Sequence, residues 1–160
     1  MPDETGVNEP HVSAIFCERV LDEKDGMLSA IRIMDGVTVQ IPAELPPDFQ
    51  IPVEASVVIL VRGGPSPAEY DVRLGYETPS GKRVRPQVGH HLVIPENKVG
   101  GNVIVHARFA AEEEGLHWFF VYLNDRTSAK IPLLVSIDRI DMTVPIPPAS
   151  PASSQDSLSE

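Results

Sequence analysis

The sequence predicts an all-β fold, an antiparallel immunoglobulin-like β-sandwich of about eight or nine strands. Three observations carry that expectation. Apolar residues alternate with polar ones over several short runs, the pattern of a half-buried strand. Turn signals separate those runs. The 16 prolines among 160 residues are about twice the usual ~5% share, and each would cost a helix interior about 3 kcal/mol.

Residues 12–21 form the first extended run, and Asp25-Gly26 after it is a hairpin signal. A second run, 27–35, is separated by Gly36 from 37–41, and a glycine within a strand pattern marks a bend or bulge. Pro42, Pro46, Pro47 and Pro52 make 42–53 a loop or covering strap. Residues 55–62 (ASVVILVR) read as a strand buried on both faces, and Gly63-Gly64-Pro65 ends it.

From Tyr70 the alternation is clean. Tyr70, Val72, Leu74 and Tyr76 share one side, and Asp71, Arg73, Gly75 and Glu77 the other. A turn at 79–82 leads to a polar edge-like piece ending at His91. Runs 102–109, 118–123 and 129–137 complete the set, with Ala129, Ile131, Leu133, Val135 and Ile137 on one face of the last. The helical alternative at 109–114 is too short to stand alone and stops at Gly115. The domain therefore spans about residues 11–144, between an acidic arm at 1–10 and a Pro/Ser-rich tail at 145–160 expected to be disordered.

The balance of 13 Lys+Arg against 23 Asp+Glu argues against nucleic acid, whose phosphates need a basic face. No apolar run approaches the ~20 residues of a membrane helix. Acids in place of a basic, apolar leader, together with one cysteine, point to a cytoplasmic protein with a reduced thiol. Cys17 lies in an apolar run and reads as a small buried hydrophobe.

Glu113, Gly115 and His117 have the spacing of the tyrosine corner that opens strand F of immunoglobulin-like sandwiches, with histidine in the tyrosine's place. A histidine there can donate to a backbone carbonyl. The segments 16–18, 25–33, 112–119 and 131–133 resemble a group of small bacterial proteins with an immunoglobulin-like pattern, over roughly residues 12–137. That resemblance implies a sandwich and a bacterial origin, and carries no activity.

No Gly-rich phosphate loop, paired-cysteine spacing or nucleophile motif is present, so neither catalysis nor a cofactor is expected. Asp22, Asp25, Asp125, Asp138 and Asp141, and the run Glu112-Glu113-Glu114, read as solvated turn residues. A metal- or ligand-binding sandwich using His91 and His106 is the alternative to a protein-binding or assembly module. Two surfaces suit the latter, whether for a partner or for self-association. Lys82, Arg83 and Arg85 form a basic cluster that could equally guard a sheet edge. Trp118, Phe120 and Tyr122 face away from the core if His117, Phe119, Val121 and Leu123 face into it. Either the strap 42–53 covers those aromatics, or they form a contact surface.

Overall fold

The alternating runs become ten strands in a computed structural model that describes residues 9–24, 27–46, 48–86 and 89–141. They are β1 (His11–Asp22), β2 (Leu28–Met34), β3 (Gly36–Pro42), β4 (Ile51–Arg62) and β5 (Ala68–Glu77), then β6 (Arg83–Val84), β7 (Gly89–Ile94), β8 (Gly100–Ala111), β9 (Gly115–Leu123) and β10 (Arg126–Ile140). Most of the arm 1–10, the tail 145–160, Pro47 and the turn residues Asp25 and Gly26 lie outside the described residues. The hairpin they were expected to close is present, because β1 and β2 pair antiparallel down to Asp22 opposite Leu28.

One sheet has the order β2-β1-β4-β8. The other has the order β3-β10-β9-β5-β6, with β7 also paired to β5. The result is an all-β immunoglobulin-like sandwich. The polar edge piece expected as one strand is two, β6 and β7, which raises the count. One pair departs from the antiparallel pattern: β3 runs parallel to β10. Gly36 makes that pairing possible. The chain leaves the first sheet at β2 and crosses to the second, where a side chain on residue 36 would meet the Leu134 carbonyl oxygen at 3.2 Å.

The core lies between the sheets and follows the alternation. β4, in the interior of its sheet, buries Val53, Val57, Ile59 and Val61. Facing them are Val72 of β5, Phe119 and Val121 of β9, and Leu133 and Val135 of β10. Phe16 of β1 meets Phe119 edge to face, ring centroids 4.9 Å apart, the geometry aromatic quadrupoles prefer. The expected inward and outward sets of β5 and β9 hold except that Gly75, on the outward side of β5, is buried under residues 84–86. Among the described residues there is no helix; 109–111 continues β8 and 112–114 is a bend.

Candidate functional site

The histidine corner forms. His117 is fully buried, and its Nδ1 donates to the Gly115 carbonyl at 3.2 Å, while Nε2 has no hydrogen-bond partner. Gly115 has φ of 125°, and a Cβ there would meet Pro79 Cγ at 3.0 Å. That backbone region is all but closed to residues with a side chain. Glu113 does not touch the ring. It accepts from the Ser80 hydroxyl at 2.6 Å and the Ser80 amide at 3.3 Å, and those bonds hold its carboxyl below the usual carboxylate range. Its neighbours are also tied: Lys82 Nζ bonds both Glu112 oxygens at 3.0–3.1 Å, and the Ile137 amide donates to Glu114 at 2.5 Å. The expected solvated acidic turn is thus a clasp that fixes the 78–82 turn to the 112–115 bend.

That clasp sets the path of the next residues. Beyond the turn, β6 pairs with Tyr76 and Glu77, and residues 84–86 pass over Gly75 of β5. A side chain at Gly75 would meet the Val84 carbonyl at 3.0 Å, Pro86 Cδ at 3.1 Å and Tyr122 Cε2 at 3.2 Å. With that position empty, Arg83 reaches across to Phe120, its guanidinium 5.3 Å from the ring centroid, while Nε bonds Glu77 at 2.6 Å. The basic cluster and the aromatic row, two separate expectations, are one surface.

On the other flank, β10 pairs with β9 so that Leu134 lies opposite Leu116, Pro132 opposite Trp118, and Lys130 opposite Phe120. Lys130 Nζ stands 4.0 Å from the Trp118 ring centroid and 5.3 Å from that of Phe120. Such cation–π contacts contribute about 0.5–1 kcal/mol at exposed sites. The strap does not take this place. Its first part is held at the end of β10, where Arg139 donates to the carbonyls of Ala43 and Leu45, and the chain then enters β4 of the opposite sheet. Trp118, Phe120 and Tyr122 remain half-buried, and Leu116 and Leu134 extend the apolar strip at 41% and 48% exposure. Lys130 and Arg85, unlike Lys82 and Arg83, have no carboxylate partner among the described residues.

The alternative site that would join His91 and His106 does not form. His91 faces outward on the six-stranded sheet, 3.4 Å from Glu69; His106 faces outward on the four-stranded sheet, 3.2 Å from the Ser56 hydroxyl. Two sheets separate them. Among the described residues no three His, Cys, Asp or Glu side chains group as metal ligands. Asp125 pairs with Arg73 at 3.0 Å and Asp138 accepts from Gln40 at 3.3 Å. Cys17 is buried, and burial pushes its thiol pKa up, away from nucleophilic chemistry. Among the described residues no helix is long and apolar enough to cross a membrane.

Sequence reasoning missed Lys130 and Gly75. Lys130 carries no motif, and its place above Trp118 depends on the β9–β10 register. Gly75 was visible as a glycine on the outward side of an alternating strand, a signal of close approach by another segment.

No protein-family model and no curated protein matches the chain. Among solved structures it is similar to an immunoglobulin-like protein from Pseudomonas aeruginosa, at 16% sequence identity and a TM-score of 0.33, over 81% of this chain and 92% of that one.

Proposed function

We propose that the protein is a non-catalytic binding module whose contact surface is the outer face of the six-stranded sheet. The observation that carries this reading is the placement of Lys130 and Arg83 over the aromatic row. Aromatic side chains and arginine are enriched at interface centres. The occupant is an extended segment of a partner protein bearing apolar side chains flanked by acidic groups. Apolar positions lie on Leu116, Trp118 and Phe120; carboxylates pair with Lys130 and Arg85, which lack an internal counter-ion among the described residues.

Selection of displayed random peptides on the immobilised protein tests the reading. Enriched peptides should combine acidic and apolar residues and lose at least about tenfold in affinity on Trp118→Ala, a change of roughly 1.4 kcal/mol. Peptides without acidic enrichment, or ones that bind Trp118→Ala equally well, would overturn it. A dimer in light scattering that dissociates on the same substitution would assign the surface to a second copy of the chain instead.

A further inference from the structure

The inner side of the same sheet edge carries a second feature, and Arg85 borders both it and the outer face. On the flank away from β9, β7 pairs with β5 only as far as Arg73, and β6 pairs only with Tyr76 and Glu77. Among the described residues, no strand pairs with Leu74 and Gly75 on that flank. There the sheets part, and a cleft of about 450 Å³ opens between β5–β6 and β8. The apolar part of its lining is Leu74, Tyr76, Val84, Val105, Phe109 and Phe119. Tyr76, Phe109 and Phe119 pack together with centroids 5.1–5.4 Å apart.

The polar groups stand at the mouth. Glu112 is bonded to Lys82 there, while the Arg108 and His106 side chains turn to the outer face of β8, where they meet Glu54 at 3.3 Å and Ser56. Arg85, His90 and the Tyr76 hydroxyl have no hydrogen-bonding partner among the described residues. His90, half-buried, faces inward, because it pairs with the buried Val72 and alternates with outward His91. Burial, reinforced by Glu112, pushes the Tyr76 phenol up, so it is a hydrogen-bond donor at neutral pH. Lys82 partly offsets the one carboxylate that lines the cleft, Glu112, beside a guanidinium, an imidazole and a phenol.

We propose that this cleft binds a small amphiphile with an apolar body and one carboxylate. The volume lies in the range of ligand sites, about 300–1,000 Å³. The apolar body lies on the Tyr76, Phe109 and Phe119 rings, and the carboxylate meets Arg85, which offers the forked donor geometry suited to it, with the Tyr76 hydroxyl and His90 beside it.

Two acids separate an aliphatic from an aromatic ligand: octanoate and 4-phenylbutyrate, each compared with its alcohol, 1-octanol and 4-phenylbutan-1-ol. Methyl NMR of the full-length protein reads binding at Leu74, Val84 and Val105. At least one acid should shift these methyls saturably with Kd below about 1 mM, and its alcohol should bind at least about tenfold more weakly. Arg85→Ala should remove that preference without changing the alcohol's affinity. Ala107→Phe, which places a ring in the cleft, should abolish binding of the preferred acid. No saturable shift with either acid, equal affinity of acid and alcohol, or an acid preference that survives Arg85→Ala each overturns the proposal. Should Ala107→Phe fail to fold, Arg85→Ala with the acid–alcohol comparison still decides.

Discussion

His117 shows how one buried polar residue organises a corner. Its Nδ1–H serves the Gly115 carbonyl, the hydrogen bond expected of a residue in the tyrosine's place, while the rest of the ring sits among Tyr76 and Phe109. The spacing Glu113, Gly115, His117 made that bond legible in the sequence, but not the role of Glu113. Its partner Ser80 comes from a distant turn, and no local pattern names it. Gly115→Ala should destabilise the fold by about 1–3 kcal/mol, read as a lower urea midpoint; an unchanged midpoint would mean the bend tolerates a side chain. Glu113 supplies a pH test. Its folded-state pKa is depressed below the 4.5 of the free group, so its contribution is fully present above that pH. The contribution is lost as pH falls through the lower folded value. Glu113→Gln should therefore melt lower than the parent protein at pH 7, and the gap should close below pH 4.5. A gap that persists at acid pH would assign the effect to something other than the carboxylate.

At the scale of elements, the β9–β10 hairpin decides what faces outward. Asn124 and Asp125 both have positive φ, 48° and 64°, which is the two-residue turn whose twist suits a hairpin. Continued without a break, that tight register would put Ala129 opposite Phe120 and turn Lys130 inward. The register instead shifts between Thr127 and Ala129. Ser128 is the extra residue of a β-bulge, and a one-residue shift exchanges the two faces of a strand. Turn and alternation were each legible in the sequence; their conflict, which only a bulge resolves, is what places Lys130 over Trp118. Deletion of Ser128 should close the bulge and leave Lys130 opposite Phe120, because Ala129 then follows Thr127 in the unbroken register. The urea midpoint should then shift by no more than about 1 kcal/mol in stability, and a loss on the order of 3–5 kcal/mol, the scale of an unpaired buried charge, would contradict that register. On the opposite flank, Gly75→Val should lift residues 84–86 off β5, because the Val84 carbonyl already lies 3.0 Å from the position of its Cβ. Faster amide exchange at residues 83–85 than in the parent protein is the expected result, and unchanged exchange would show that the segment is held some other way.

For the whole molecule, fold class was legible because a strand's period of two depends only on neighbouring residues. The crossing of the chain at Gly36 and the parallel pairing of β3 with β10 were not, since both depend on which distant strand is met. The same limit applied to the candidate surface. The aromatic row and the basic cluster were each found in sequence, with the strap 42–53 as cover and an open contact surface as the two readings, and neither named Lys130 or Arg83 as lying over the rings. Leu133 lies at the centre of the sandwich, fully buried, and Leu133→Ala should cost about 2–5 kcal/mol in one cooperative transition; a separate early transition would indicate that the sheets unfold independently. The binding surface itself has a built-in reporter, because Trp118 is the chain's one tryptophan. The most direct measurement is a titration of Trp118 fluorescence with a selected acidic, apolar peptide, on the parent protein and on Lys130→Ala. The account predicts a saturable emission change on the parent protein and an affinity at least about fivefold weaker on the variant, roughly 1 kcal/mol. A peptide that binds without altering Trp118 emission, or binds both proteins alike, would contradict it.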